Sequence, residues 1–222
     1  MREIALDTET TGFDPATGDR IVEIGCVELM NHIPTGEVFH CYVNPERDMP
    51  DSAFKVHGLS TEFLLGHKVI AEEIEGFLAF IGEAQLVIHN AQFDMKFLNA
   101  ELVRLKRPPL RMARTIDTVS MARRKFPGAQ ASLDALCRRF AIDNSARTKH
   151  GALLDAELLA EVYLELIGGR QRGFSLASEE TGGLRAVNVE TRTPRPHEAS
   201  AAERAAHAEF LKTITDPLWL AK

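Results

Sequence analysis

The order of strand-like and helix-like segments is the feature that most constrains the fold of this chain. Three apolar runs come first, at residues 3–7, 20–29 and 37–43, with Gly, Pro and Asn between them. Runs rich in Val, Ile and Leu that are bounded by such residues predict β-strands. The segment "IPTGE" at residues 33–37 has the composition of a hairpin connection, so we expect the three strands to be antiparallel neighbours.

From residue 71 onward the pattern alternates between helix and strand. Apolar residues within residues 71–81 recur at the spacing of one helical face. Two further helices are predicted at residues 132–140 and 152–167, and two short strands at residues 86–90 and 115–119. Three hairpin strands followed by alternating helices and strands predict a mixed α/β layer architecture in one domain, residues 1–169.

The composition changes after this domain. Residues 170–197 are rich in Gly, Ser, Thr, Pro and charged side chains, and they lack a helical or strand period. Such a segment is predicted to be a flexible linker. Residues 198–222 regain strong helix formers and carry apolar side chains that include Phe210 and Trp219. An amphipathic segment at the end of a linker is typical of a docking peptide.

Charge is distributed unevenly along the chain. The formal net charge of −6 argues against broad, nonspecific attraction to polyphosphates. Between residues 104 and 149, however, twelve Lys and Arg side chains stand against only three Asp side chains. Two interpretations stay open for this basic section: a solvated surface with scattered cations, or a surface that follows a nucleic-acid backbone.

The three cysteines, Cys26, Cys41 and Cys137, are widely spaced and form no CxxC pair. Neither a disulfide framework nor a structural zinc site is indicated, which favours a reducing compartment. No segment approaches the roughly 20 apolar residues that a membrane span needs. We therefore expect a cytoplasmic protein that does not contact the membrane.

Four acidic residues stand where strands end or helices begin. Asp7 and Glu9 follow the first apolar run two residues apart, so in a strand both side chains point to one face. Alone, such acids are most often solvated loop residues. Asp94 lies one turn after Asn90, the predicted N-cap of a helix, and Asp155 lies in the first turn of the last helix of the domain. Open α/β sheets concentrate their ligands at such positions.

A cluster of four carboxylates requires cations. With no Lys or Arg beside them, the four acids would repel each other or take up protons. Two Mg²⁺ or Mn²⁺ ions roughly 3.5–4 Å apart would neutralise them and would activate a water for in-line displacement at phosphorus. His150 precedes Asp155 by five residues. Alone, a histidine before a helix is more often a surface or capping residue, but beside this cluster His150 is a candidate general base.

Three segments together resemble the motifs of the DEDDh 3′–5′ exonucleases. They are "DTETTG" at residues 7–12, "HNAQFD" at residues 89–94 and "HGALLD" at residues 150–155, in this order. The resemblance implies a ribonuclease H-like fold, with a five-stranded mixed sheet flanked by helices. It also implies that two divalent ions are bound by the four acids and that His150 is the general base. These four metal ligands are Asp7, Glu9, Asp94 and Asp155.

The same resemblance implies a set of contacts with the terminal nucleotide. The residues concerned are Thr8, Thr10, Thr11, Ser52 and His57, with Phe54 or Leu59 in the wall of the pocket. The segment "KVHGLS" at residues 55–60 carries the resemblance for His57. Ser52 departs from the family pattern, because relatives often carry a longer polar or acidic residue there.

Within the family, residues 5–29 are most similar to the epsilon class, the proofreading exonucleases of bacterial DNA polymerase III. This similarity implies hydrolysis of single-stranded DNA at a primer 3′ end, with release of nucleoside 5′-monophosphates. The implied partners are the catalytic alpha subunit, docked on residues 198–222, a sliding clamp (beta) and a small theta-like subunit. The clamp-binding residues would be Gln171, Phe174 and Leu176.

Two other functions stay open from the residues. The motifs specify the reaction but not the sugar, so an exoribonuclease that trims RNA 3′ ends is one alternative. The other is a chain that chiefly tethers a polymerase to its clamp.

Overall fold

The structure is a computed structural model that describes residues 1–145, 147, 149–169 and 198–215. The chain divides into two units, Met1–Phe174 and Ser175–Lys222, which are treated separately. The predicted clamp-binding residues lie outside the described residues, so that interpretation stays a prediction. They are Gln171, Phe174 and Leu176.

Three antiparallel strands open the first unit: β1 (Arg2–Thr10), β2 (Ile21–Met30) and β3 (Ile33–Tyr42). β2 lies between β1 and β3 and pairs with both. The three predicted strands are confirmed, but β1 continues three residues beyond its predicted end at Asp7. Glu9 is therefore a strand residue as well, and its side chain shares a face with that of Asp7.

The predicted position of the hairpin connection is wrong. β2 and β3 are joined at Asn31 and His32, whose φ angles of 53° and 72° are both left-handed. Two consecutive left-handed residues are what a tight two-residue hairpin requires, and Asn is one of the residues that adopts this conformation at least cost. The Pro34 and Gly36 that suggested a turn instead lie in β3. A proline is tolerated there because β3 is an edge strand.

Helices and two further strands follow the hairpin strands. In chain order they are α1 (Asp51–His57), α2 (Thr61–Leu65), α3 (Ile70–Ile81), β4 (Gln85–Ile88), α4 (Ala91–Arg104), β5 (Thr115–Asp117), α5 (Thr118–Lys125), α6 (Leu133–Phe140) and α7 (Ala152–Leu166). The segments with a clear apolar period were predicted within a few residues. The short helices α1, α2 and α5 were not predicted, because their five to eight residues carry little periodicity. The helix α6 is also eight residues long, but Ser132 caps its start with a side-chain hydrogen bond.

The five strands form one mixed sheet in the order β3-β2-β1-β4-β5. β4 and β5 run parallel to β1, whereas β2 runs antiparallel to it. This confirms the predicted five-stranded mixed sheet. β1 is the central strand, and its carboxyl end meets that of β4 at one edge of the sheet, where open α/β sheets bind their ligands.

Helices cover both faces of the sheet. On one face, Ile4 and Leu6 of β1 pack in a buried cluster with residues of α3 and α4, including Phe77 and Phe97. On the other face, Ala5 belongs to a second cluster, formed largely by α6 and α7. Because side chains alternate along a strand, Asp7 and Glu9 point to the face that α7 covers.

Gly25 brings α7 close to the acidic end of β1. It lies directly opposite Asp7 in the β1–β2 pair. A Cβ atom at this position would come within 2.3 Å of the backbone carbonyl carbon of Ala152, the first residue of α7. Only a glycine allows an approach this close. The helix that carries Asp155 therefore starts beside Asp7.

Part of the basic section of residues 104–149 is used inside the first unit. Several of its cations pair with acidic side chains or donate to backbone carbonyls: Arg104 contacts Glu101, Arg107 contacts Glu75, Arg114 donates to Gly82 and Ala84, and Lys125 donates to Glu165 and Leu166. The guanidinium of Arg139 lies over the ring of Phe126. The excess of positive charge in the sequence therefore overstates the charge that is free to bind a nucleic acid.

In the second unit, the structure describes one helix, α8 (Ala201–Leu211). Ser200 and Glu203 form a reciprocal capping box at its start. Phe210 is 60% exposed and Ile214 is 37% exposed. Within the described part of the chain, no helix is both long and apolar enough to cross a membrane.

Candidate active site

The first two acids of the site lie at the end of the central strand. Asp7 is half-buried and Glu9 is buried. Both side chains leave the same face of β1, whereas Ile4 and Leu6 point into the opposite core cluster. The apolar residues of this strand thus anchor it from one side and leave its acidic end directed at α7.

Asp94 comes to the same place from α4. It is buried in the first turn of that helix. Its Oδ1 accepts hydrogen bonds from the Thr8 amide at 3.1 Å and from the Thr8 hydroxyl at 2.8 Å. These two bonds fix the carboxylate of α4 against β1.

Asn90 is not the side-chain cap that the sequence suggested. It precedes α4 in a left-handed conformation, and its side chain makes no capping hydrogen bond. Its backbone amide instead donates to Asp117 Oδ1 at 3.1 Å. Asp117 caps α5 as well, since it also accepts from the Val119 amide. The carboxyl ends of β4 and β5 are joined through this one side chain.

Asp155 and His150 come from the start of α7. Asp155 is buried in the first turn, where the helix dipole favours a negative charge. His150 lies just before the helix, and its amide donates to the Val56 carbonyl at 3.2 Å. The imidazole is 47% exposed. The site is therefore open to solvent on the side where His150 lies.

All five predicted catalytic residues line a single cavity of about 480 Å³. Within the described residues, Glu9, His150 and Asp155 offer potential ligand atoms that all lie within 4.8 Å of one another. Asp7 and Asp94 line the same cavity but do not belong to that tighter group. The cavity therefore gathers carboxylate oxygens, the ligands that a hard divalent cation prefers, beside the imidazoles of His89 and His150.

The electrostatics of the site favour a bound cation. Burial, together with the charges of Asp94, Glu9 and Asp155, raises the pKa of Asp7 well above its usual range. Burial raises the pKa of Glu9 to about 8, with further contributions from Asp155, Glu23 and Asp94. Burial also raises the pKa of Asp94 to about 7. Carboxylates this poorly compensated fit divalent ions, which would restore their charged form.

The raised pKa values predict how the metal-free protein responds to pH. Some carboxyl groups have a higher pKa in the folded state than in the unfolded state, where it is about 4. Between these two pKa values, such a group holds its proton only while the chain is folded. The free energy of unfolding therefore falls as pH rises from about 5 to 8, the range set by the pKa values of Glu9 and Asp94. We expect the melting temperature of EDTA-treated protein to fall across this range, and Mg²⁺ to raise it most at the alkaline end. A melting temperature that is flat with pH in EDTA would contradict this charge balance.

The expectation that no Lys or Arg stands beside the acids is wrong. Arg147 Nε lies 2.5 Å from Asp155 Oδ1, and Nη2 lies 2.6 Å from Oδ2. Although burial raises the pKa of Asp155, its contacts with His150 and Arg147 hold it below its usual value. Arg147 stands among twelve cations of the basic section. Its position three residues before His150 was the only signal, and the path of the loop decides whether such a side chain reaches the site.

A second cavity, of about 130 Å³, adjoins the first. Thr8, Glu9, Phe13 and Phe93 line both cavities. Four of the five predicted nucleotide contacts line the smaller one, namely Thr8, Thr10, Ser52 and His57.

Thr11 does not line either cavity. Its hydroxyl accepts from the Arg20 amide at 3.0 Å and lies 3.2 Å from Asp19 Oδ1, so it is used to hold the turn after β1. Phe54 and Leu59 are also absent from both linings. The apolar wall comes instead from Phe13, Val56 and Phe93, which the motif comparison did not identify. Phe13 directly follows the first motif and is 82% exposed.

His57 lines the smaller cavity. It is 6% exposed, and its Nδ1 accepts from the Leu59 amide at 3.1 Å. Its Nε2 is buried and makes no well-aligned hydrogen bond among the described residues, although the Thr10 backbone lies close enough to raise the pKa of the ring. Burial lowers the pKa of His57, so the ring is neutral near pH 7. A buried polar nitrogen without a partner is costly unless a ligand satisfies it.

Comparisons with known proteins identify the family. A sequence model of the family described as "Exonuclease" matches residues 4–163. The DNA polymerase III subunit epsilon of Rickettsia felis is 50% identical over 222 residues, which cover 96% of this chain and 97% of that protein. The protein of the same name from Escherichia coli K12 is 48% identical over 185 residues, covering 80% of this chain and 76% of that one.

Solved structures support the same fold. The nuclease domain of 3′hExo, described as a DEDDh family member bound to rAMP, superposes with a TM-score of 0.65. The match has 18% identity and covers 75% of this chain and 91% of that one. Exonuclease X, in complex with a 5′ overhanging duplex DNA, has a TM-score of 0.58 at 24% identity and covers 75% and 90% of the two chains. At these identities the likeness shows the fold alone, and it confirms the ribonuclease H-like architecture. The chain therefore belongs to the exonuclease family, in the branch of the DNA polymerase III epsilon subunits, and it is a 3′–5′ exonuclease that depends on divalent metal ions.

Proposed function

We propose that this chain is the proofreading exonuclease of a bacterial DNA polymerase III. It removes mispaired nucleotides from a DNA primer 3′ end and releases nucleoside 5′-monophosphates. The observation that carries the proposal is the convergence of Asp7, Glu9, Asp94, Asp155 and His150 on a single cavity of about 480 Å³, beside a smaller apolar cavity. The names of relatives about 50% identical over most of the chain support the biological setting, which would be the cytoplasm.

Asp7, Glu9, Asp94 and Asp155 would hold two divalent ions, Mg²⁺ or Mn²⁺. When bound, such a pair activates a water and stabilises the leaving oxygen of an in-line displacement at phosphorus. The raised pKa values of Asp7, Glu9 and Asp94 support this assignment, because they report carboxylates without sufficient counter-charge. Thr8 serves the same site by fixing Asp94 through its amide and its hydroxyl.

His150 would accept the proton of the attacking water. Its ring lies at the open side of the larger cavity and is 47% exposed, so a proton taken up there can pass to solvent. Nδ1 is 3.2 Å from Asp155 Oδ2, which keeps the imidazole beside a carboxylate of the cluster.

The smaller cavity would hold the terminal nucleotide. Phe13, Val56 and Phe93 provide apolar walls against which a base or sugar can pack. His57 Nε2 and the Ser52 hydroxyl supply polar groups in the same cavity. Thr10 contributes less, since its hydroxyl already donates to the Gly12 carbonyl at 2.7 Å. With the nucleotide there, its phosphodiester would lie toward Glu9, the carboxylate that lines both cavities.

The choice between DNA and RNA can be tested directly. A DNA and an RNA oligomer of one sequence, each labelled at its 5′ end, are digested with Mg²⁺ under single-turnover conditions. We expect stepwise shortening of the DNA from its 3′ end, with 5′-mononucleotides as products, at a rate well above that on RNA. Faster hydrolysis of RNA would favour the exoribonuclease alternative and overturn the proofreading assignment. Repeating the assay with paired and mispaired primer ends measures the preference for mismatches.

We also propose that residues 198–222 dock on the catalytic alpha subunit and that Gln171, Phe174 and Leu176 bind the sliding clamp. The exposed apolar side chains of Phe210 and Ile214 at the end of α8 support a docking role for the terminal segment. A theta-like subunit remains part of the proposed assembly, without residues assigned to it.

Copurification tests these contacts. The full chain and a chain that ends at Gly169 are each mixed with the polymerase subunit and with the clamp. We expect the shortened chain to lose both partners while it keeps its exonuclease activity on single-stranded DNA. Full retention of both partners by the shortened chain would contradict the docking assignment.

A further inference from the structure

Arg147 occupies both oxygens of a carboxylate that would bind metal. Its Nε donates to Asp155 Oδ1 at 2.5 Å and its Nη2 donates to Oδ2 at 2.6 Å. The pair is almost completely buried, with 8% of the arginine side chain and 3% of the aspartate side chain exposed. A bidentate pair of this kind is a strong form of charge-assisted hydrogen bonding. Both oxygens that Asp155 could offer to a metal are thereby engaged.

The same guanidinium engages the general base. Nη2 of Arg147 lies 2.7 Å from Nδ1 of His150. Because a guanidinium has only donors, Nδ1 must accept this hydrogen bond, and the ring proton of the neutral imidazole lies on Nε2. The lone pair of Nδ1, which faces the cluster, is then unable to take a proton from water. The 3.2 Å approach of Nδ1 to Asp155 Oδ2 is not a hydrogen bond in this tautomer.

A third contact holds Arg147 from the rim of the cavity. Its Nη1 donates to Asp134 Oδ1 at 2.7 Å. Asp134 is 45% exposed and also accepts from Asn144 Nδ2 at 3.1 Å, so it is anchored on the loop side. Asp134 belongs to α6 and none of the three motifs includes it. Arg147 can keep its hydrogen bond with Asp134 when it gives up its contacts with Asp155 and His150.

We propose that Arg147 is a positioning residue that stands in for a divalent ion in the metal-free enzyme. Metal binding exchanges the guanidinium on Asp155 for the metal and, in the same event, releases the His150 lone pair. This inference rests on the proposed function, because it assumes that Asp155 binds metal and that His150 is the base.

The physical reason is competition between cations. A bidentate guanidinium and a divalent ion on one carboxylate compete for its negative charge, and their own positive charges repel each other at that distance. While the metal is absent, Arg147 neutralises part of a cluster of four acids and so stabilises the folded chain. When the metal enters, the same contact must be broken, so Arg147 lowers the apparent affinity for metal. The base becomes available only when the metal is present to activate water.

Metal titration of the full chain tests the proposal. Protein treated with EDTA and then dialysed is titrated with Mn²⁺, and binding is followed by calorimetry and by the loss of the free-ion EPR signal. We expect Arg147→Gln to bind Mn²⁺ about tenfold more tightly than the wild type, within the usual range for coupling between sites. Arg147→Lys keeps the charge but loses the bidentate geometry, and an intermediate affinity is expected.

Arg123→Gln is the matched control. It removes the same charge from α5, and Arg123 lines a different cavity from the one that holds the acids. We expect its Mn²⁺ affinity to equal that of the wild type. Unchanged or weaker Mn²⁺ binding by Arg147→Gln would overturn the proposal, because the arginine would then be neutral toward the metal or would support it.

A second measurement does not require an affinity for metal to be determined. It can be made on the wild type alone, in case Arg147→Gln does not fold without metal. With ¹⁵N-labelled histidine, the metal-free wild type should show His150 as the Nε2–H tautomer with a hydrogen-bonded Nδ1. Mg²⁺ should remove the hydrogen-bond signature at Nδ1. Where Arg147→Gln is folded, its metal-free spectrum should already lack that signature. A wild-type His150 spectrum that is the same with and without Mg²⁺ would overturn the proposal.

Failure of this inference is distinguishable from failure of the proposed function. If the wild type binds no divalent ion and does not hydrolyse DNA, the proposed function falls and the inference falls with it. If the wild type binds Mn²⁺ and hydrolyses DNA while Arg147→Gln shows wild-type affinity, only the role of Arg147 is overturned.

Discussion

Replacing Asp7 by Asn is expected to reduce the rate of 3′-end hydrolysis by about 10³-fold, since it would remove the charge of a proposed metal ligand from the centre of the site. Asp7 lies on the central strand, opposite Gly25 and beside the start of α7. No neighbouring acid can take its place without moving the sheet. The measurement is the release of 5′-mononucleotides from single-stranded DNA at saturating Mg²⁺.

The same substitution separates catalysis from folding. Burial and three neighbouring acids raise the pKa of Asp7, so its charged form destabilises the metal-free protein. Asp7→Asn keeps the shape of the side chain without its charge, and we expect an unchanged or higher melting temperature in EDTA, together with a smaller increase on adding Mg²⁺. Glu83→Gln is the control. Glu83 is exposed in the turn before β4, at the opposite end of the sheet, and this variant should keep full activity. Full activity of Asp7→Asn would contradict the metal-ligand assignment.

Replacing His150 by Ala is expected to lower kcat by about 10²- to 10³-fold near neutral pH, the usual contribution of a general base. The fold should not change, because the side chain is 47% exposed and the backbone contact with Val56 does not depend on the imidazole. Mn²⁺ binding should persist, since the four carboxylates remain. The loss therefore falls on the chemical step and not on assembly of the site.

The pH dependence of the rate distinguishes a base from a positioning residue. A general base must be unprotonated to accept the proton of the attacking water, so kcat of the wild type should fall toward low pH. In His150→Ala this acid limb should disappear at constant metal occupancy, leaving a low and flatter profile. If the variant retains the same acid limb as the wild type, His150 is not the base.

Most of the site residues, helices and strands were predicted from the three motifs and from the segments with a regular apolar period. Asp7, Glu9, Asp94, His150 and Asp155 were identified from three short segments, and the structure brings all five to one cavity. The five residues converge because each acid stands at the end of a strand or in the first turn of a helix, and these positions meet at one edge of an α/β sheet. Likewise, α3, α4 and α7 are long enough to show a helical period.

The predictions that differ from the structure do so for a common physical reason. The hairpin forms at Asn31 and His32 because backbone pairing of β2 with β3 determines where the chain turns, and a downstream Pro and Gly can sit in an edge strand. Thr11 belongs to a motif, yet its hydroxyl serves the turn with Arg20 and Asp19. In both cases the residue types allowed the predicted role, but the partners that each group takes in the folded chain gave it another one.

The sequence by itself determined the chemistry of this protein, because the residue types and spacings of three motifs specify a reaction whatever surrounds them. Only the tertiary structure decided how the site is completed. It directed Arg147, one cation among many, onto Asp155 and His150, and it placed Phe13, Val56 and Phe93 around the smaller cavity. These assignments depend on loop paths and on contacts between distant segments, which the packing of α7 against the sheet creates and no local pattern encodes.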